Sequence, residues 1–164
     1  MKKFPFILLL YFACVGHAHA IERLLSVGQG FSQPYYFSPD TRFQNRAYHL
    51  NMGYYFQESI QLHLGLQFAL GGDKSIHLRL GPEFYLLKDQ PLLPWVGAKY
   101  VYTIEPSGDQ GWLLELGVER NLDFLFDFQN VALRASTGFS YVYVKSGPDR
   151  NYFEMIQLAL LFAF

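Results

Sequence analysis

From Ile156 onward every second position carries a large apolar side chain, Ile156, Leu158, Leu160, Phe162 and Phe164, and the sequence ends on the last of them. That alternation is the mark of a β-strand, whose successive side chains point to opposite faces. Met155, Gln157, Ala159, Leu161 and Ala163 fall on the other face. A strand this apolar on its outer side needs a second packed layer or lipid against it. A soluble domain rarely leaves its most apolar strand bare to the final atom, whereas a lipid-facing barrel strand requires such a face. The last strand of a soluble sandwich is the alternative, and the rest of the chain weighs against it.

The same period recurs throughout. Eight strands are expected, over residues 21–31, 46–56, 59–70, 75–87, 92–104, 111–122, 130–144 and 151–164, each near the roughly 9–11 residues a tilted membrane strand needs. Turn signals separate them, among them Gly71-Gly72-Asp73-Lys74, Glu105-Pro106-Ser107-Gly108 and Ser146-Gly147-Pro148-Asp149. In each strand one parity is apolar, as in Leu62, Leu64, Leu66 and Phe68 or Trp112, Leu114, Leu116 and Val118. The opposite parity gathers Arg79, Glu83, Lys99, Glu115, Glu119 and Arg134 with His49, His63 and His77, which places them in the lumen of a closed barrel. Gly28, Gly53, Gly65, Gly81, Gly97, Gly117 and Gly138 share that inward parity. They make room in an eight-stranded interior only just wide enough for side chains. The fold class is therefore all-β: an eight-stranded antiparallel up-and-down transmembrane β-barrel.

The N-terminus has its own reading. Lys2 and Lys3, an apolar run to about Val15 and Ala18-His19-Ala20 form a secretory signal peptide. Cleavage after Ala20 leaves residues 21–164 as the barrel domain. Tyr11-Phe12-Ala13 before Cys14 is a poor lipobox. Cys14 is the only cysteine, so the remainder holds neither a disulfide nor a thiolate metal site. Taking Lys2 and Lys3 from the 13 basic residues leaves 11 against 14 acidic ones, a net charge near −3 without a basic block. Nucleic acid is not an expected partner.

Several finer placements follow from alternation. Trp95, Tyr54 and Phe56 are expected in an aromatic girdle at one membrane interface, with Tyr48, Phe68, Trp112 and Tyr141 in a girdle at the other. Residues 121–129 are too aromatic for a short turn and are expected to extend the flanking strands, with a parity-resetting bulge. The three lumenal cations balance the three glutamates, as a narrow interior demands, because an unpaired buried charge costs several kcal/mol. Arg134 is expected to pair with Glu115 or Glu119. A neutral set of this kind reads as a plug rather than a selective pore.

The alternating segment ending at Phe164 resembles the C-terminal insertion signal of bacterial outer-membrane β-barrels, and the architecture resembles the small eight-stranded barrels of the OmpA and OmpX type. The resemblance implies a location in the bacterial outer membrane with both termini periplasmic. It also implies contact with outer-membrane lipid and lipopolysaccharide, and handling by the barrel assembly machinery during insertion. Barrel deacylases of lipid A carry His-x-Ser on a late strand, and none of His49, His63 and His77 has serine two residues on. Residues 21–26 are too short for the amphipathic helix that opens palmitoyltransferase barrels. No catalytic set, cofactor or metal site is expected. His49 and His77 fall at one level but two strands apart, roughly 10 Å at about 4.8 Å per strand. The segment from Ser32 to Phe43 is the one sizeable loop, with Tyr35, Tyr36 and Phe37 as candidate partner contacts or headgroup anchors. The role read from the sequence is structural, or a lateral contact with another membrane protein through the Leu-rich wall; a lipid-modifying enzyme and a narrow pore are the alternatives.

The wall assignment is tested at Leu160. Leu160→Arg places a cation on the lipid face at a cost of about 2–4 kcal/mol at the midplane, and deletion of Phe164 removes the end of the insertion pattern. Both changes are expected to abolish the heat-modifiable, membrane-inserted form on gels. Parent-like insertion of both variants would contradict the assignment.

Overall fold

The computed structural model describes residues 25–36, 46–57, 59–70, 75–87, 90–105, 108–122, 131–145 and 149–163. The proposed signal peptide, Phe37 and Phe164 lie outside them. The chain forms β1 (Leu25–Tyr36), β2 (Arg46–Gln57), β3 (Ile60–Leu70), β4 (Ile76–Tyr85), β5 (Leu93–Glu105), β6 (Gln110–Asn121), β7 (Val131–Tyr143) and β8 (Arg150–Ala163). Each strand pairs antiparallel with its sequence neighbours, and β1 pairs with β8 to close the barrel. Closure removes the unpaired edge that an open sheet would present to lipid. With an even number of strands, β1 begins and β8 ends at the same rim, here the terminal rim. The β1–β2, β3–β4, β5–β6 and β7–β8 connections belong to the opposite rim.

The alternation holds from strand to strand. Inward positions are sealed, with Glu83, Glu119 and Ser140 at 0% exposure, while outward Leu116 and Ile156 stand at 60% and 57%. Gly97 and Gly117 show why the interior tolerates bulky groups. A Cβ on Gly117 would approach Trp95 to 2.8 Å, and one on Gly97 would come within 3.2 Å of Glu83 and 3.3 Å of Trp95.

Three expectations need correction. Trp95 is 1% exposed and faces the lumen; its outward neighbour Val96 takes the wall position, because odd residues of β5 point inward. Tyr35 and Tyr36 are not loop residues but the end of β1, opposite Phe153 and Tyr152 of β8. The β6–β7 register runs unbroken to Asn121↔Ala132, and residues 123–129, where the extension and its bulge are expected, lie outside the described residues. A reset occurs in β8. Gln157 opposes Ser136 and Glu154 opposes Gly138, so Met155 and Ile156 together face Thr137 alone. Met155, expected on the inward face, sits in this bulge, and the slip turns Glu154 inward to complete burial.

The bulge gives a deletion test. Removing Met155 leaves regular alternation with Glu154 still inward. Removing Thr137, its single counterpart, inverts one arm of β7 and turns buried groups toward lipid. The first deletion is expected to retain heat-modifiable barrel and the second to lose it. The reverse order would contradict the register.

Candidate functional site: the charged lumen

The lumen is layered by strand register. Nearest the terminal rim, Trp95 opposes Tyr85 across β4 and β5 and Gly117 across β5 and β6. The Tyr85 hydroxyl lies 2.8 Å from Glu119 Oε2 and 3.3 Å from Gln61 Oε1. It has one proton to donate, and the shorter contact with a carboxylate takes it. Tyr55 reaches the same hydroxyl at 3.1 Å, and Gln61 Nε2 donates to Ser26 at 2.7 Å. Together these groups form a hydrogen-bonded floor spanning β1, β2, β3, β4 and β6.

Above it Glu83 gathers the cations. Arg134 donates to both Glu83 oxygens, through Nη1 to Oε1 at 3.3 Å and through Nη2 to Oε2. Lys99 Nζ lies 2.7 Å from Glu83 Oε1 and also holds Glu115. His63 Nδ1 stands 3.1 Å from the same oxygen. Arg134 stacks on Trp95, its guanidinium carbon 3.9 Å from the ring centroid, and its Nε is 3.6 Å from Glu119. The principal partner of Arg134 is thus Glu83 on β4, across the lumen, with expected Glu119 secondary. A narrow barrel makes this possible because inward side chains of non-adjacent strands meet near the axis.

The third layer holds Arg79, which donates to Gln67 and to both oxygens of Glu154, through Nη1 at 3.3 Å. Glu115 lies 3.9 Å from Arg79 Nη1. Glu154 escaped the sequence reading because strict alternation places it on the lipid face. A glutamate on an otherwise apolar face was itself a signal that the register slips nearby. With it the ion-paired layers hold four carboxylates, Glu83, Glu115, Glu119 and Glu154, against Arg79, Lys99 and Arg134, rather than the expected three against three.

The histidines are separately occupied. His49 and His77 both align with Gln67 at one level, two strands apart. His49 hydrogen-bonds Ser32 at 2.6 Å, and both residues are buried. His77 meets Ser75 Oγ at 2.8 Å through Nε2 and Thr103 Oγ1 at 3.1 Å through Nδ1. A bulge that sets Ile104 between the Ile76↔Glu105 and His77↔Thr103 pairs brings Thr103 there. Two serine–histidine contacts therefore exist near the rim opposite the termini, the geometric condition that a catalytic reading requires. In one the serine is sealed. In the other Nδ1 meets a hydroxyl where hydrolase triads place a carboxylate. Among the described residues no group of three or more His, Cys, Asp or Glu side chains is placed to hold a metal ion.

No family model matches the chain, and no curated protein matches it. Solved structures do. Neisserial surface protein A aligns with a TM-score of 0.71 at 13% identity, over 85% of this chain and 97% of that one. The outer membrane protein OprG of Pseudomonas aeruginosa aligns at 0.56 and 12%, over 90% and 100%. Ail, the attachment invasion locus protein of Yersinia pestis, aligns at 0.53 and 15%, over 87% and 100%. The fold is that of the small eight-stranded outer-membrane β-barrels.

The network is tested by removing its hub. Glu83→Ala leaves Arg134 and Lys99 short of a buried counter-charge and is expected to lower the unfolding free energy in urea by about 3–5 kcal/mol. Replacing a whole pair, Arg79→Met with Glu154→Leu, is expected to be neutral or stabilising by about 1–4 kcal/mol. An unchanged midpoint for Glu83→Ala would show that the lumen is too wet for these pairs to matter.

Proposed function

We propose that this chain is an integral protein of the bacterial outer membrane, its terminal rim toward the periplasm and its lumen closed by ion pairs. It serves as a structural or laterally interacting barrel. The observation that carries this reading is the hub at Glu83, where Arg134, Lys99 and His63 converge on one carboxylate at 0% exposure. A lumen tied across its width in this way favours a plug over a path. The remaining working surface is the wall, smooth and Leu-rich at Leu62, Leu64 and Leu66 on β3, Leu78 and Leu80 on β4, and Leu114 and Leu116 on β6. Tyr35 and Tyr36 belong to β1, and residues 37–45 of the β1–β2 connection lie outside the described residues. Outer-membrane lipid and lipopolysaccharide surround the wall, and the barrel assembly machinery reads the pattern at Ile156, Leu158, Leu160, Phe162 and Phe164. A lateral protein partner binds by packing, since lipid tails remove the hydrophobic driving force between membrane segments.

A second reading, hydrolysis of an ester at the rim opposite the termini, has one observation in its favour, the Ser75–His77–Thr103 chain of hydrogen bonds. A fluorophosphonate probe that labels the parent but not Ser75→Ala or His77→Ala would favour it.

Single cysteines at Leu64, Leu78 and Leu116 in a Cys14→Ser background test the lateral reading by crosslinking in intact membranes. A discrete protein adduct is expected at one or more of the three. Labelling by lipid probes alone at all three would exclude a partner on β3, β4 and β6.

A further inference from the structure

Among the described residues, the wall carries one amide within its apolar belt. Gln29 lies on the outward parity of β1 and is exposed. Its strand neighbours in register are Leu50 on β2 and Leu160 on β8. On its own strand Val27 and Phe31 flank it, 43% and 61% exposed. It therefore sits within the apolar belt, not at a rim. Tyr48 donates its hydroxyl to Gln29 Oε1 at 2.8 Å, while Gln29 Nε2 has no acceptor among the described residues. Thr137, another outward polar residue, shows the usual solution: its hydroxyl donates to the Glu154 carbonyl at the β8 bulge. Gln29 has no such local acceptor for its N–H groups, and hydrocarbon offers none.

We infer that the wall around Gln29, at the β1–β2 and β1–β8 seams, is a pairing surface for a second copy of this chain. The inference rests on the lateral reading and names its partner. A primary amide is both donor and acceptor, so it is its own complement. A two-fold axis beside Gln29 lets each Nε2 donate to Oε1 of the partner's Gln29, using the lone pair that Tyr48 leaves open. An isologous contact needs only this one self-complementary patch. Lipid tails have no acceptor at this depth, and a different membrane protein needs a matching amide or hydroxyl of its own. Val27, Phe31, Leu50 and Leu158 supply the apolar packing around the paired amides.

The test uses the folded chain in detergent micelles, again with Cys14→Ser. Gln29→Cys is expected to give an oxidative adduct of twice the chain mass, and Leu64→Cys, on another part of the wall, none of that mass. Gln29→Leu is expected to keep its heat-modifiable band while weakening self-association about tenfold, which is about 1.4 kcal/mol. No doubled adduct from Gln29→Cys, or parent-like association of Gln29→Leu, would overturn the inference. Adducts at Leu64, Leu78 or Leu116 to a protein of different mass, with none at Gln29, overturn self-pairing while the lateral reading stands. Adducts at none of the four positions overturn both.

Discussion

Charge buried in a narrow, strand-walled interior must be paired where it lies, and this constraint governs the rest of the molecule. The desolvation cost of each lumenal ion amounts to several kcal/mol, so a cation without a nearby carboxylate disfavours the closed barrel. Glu83 meets the constraint for two cations at once, drawing Arg134 from β7 and Lys99 from β5 to one carboxylate, with His63 of β3 against the same oxygen as Lys99. Glycines at positions such as Gly97 and Gly117 make the space, and Trp95 gives the Arg134 guanidinium a flat surface to stack on. Glu154 is the most telling member. Its burial requires β8 to break its own alternation, so the bulge at Met155 and Ile156 is the local backbone irregularity that gives Arg79 its counter-charge.

The likeness to Neisserial surface protein A, OprG and Ail extends over nearly the whole of each of those chains at 12–15% identity. Such a likeness establishes architecture and leaves function to particular sites. Three sites of this chain bear on its function: the ion-pair hub in the lumen, the serine–histidine contact beside Thr103, and the amide of Gln29 in the wall. They ask different things of the same scaffold. The hub ties the lumen across its width, the rim contact joins a serine, a histidine and the Thr103 hydroxyl at Nδ1, and Gln29 sets an amide on the lipid-facing wall.

Much of the fold was legible because a barrel wall repeats one simple rule. Period-two alternation located all eight strands and put Arg79, Glu83, Lys99, Glu115, Glu119 and Arg134 on the inward face. Parity says which face a residue takes, however, and nothing of its partner across the lumen. Arg134 was therefore matched to its neighbouring strand, whereas the long guanidinium reaches Glu83 across the axis. Bulges defeat parity altogether, since one extra residue exchanges the faces, and so Glu154 was missed. Trp95 was misplaced for another reason. Aromatic residues near strand ends favour the interface, and that tendency outweighed an alternation that already placed Trp95 with Gly97 and Lys99. The Ser75–His77 contact places the serine two residues before the histidine and not after it, and two residues in either direction share a strand face.

The central claim is that ion pairs close the lumen, and the current carried by the unmodified barrel in planar lipid bilayers tests it most directly. A closed lumen gives no discrete conductance steps in the parent, with steps appearing only when Glu83 and Arg134 are both replaced by alanine. Regular steps from the parent chain, unchanged by that double replacement, would contradict the account and identify the barrel as a pore.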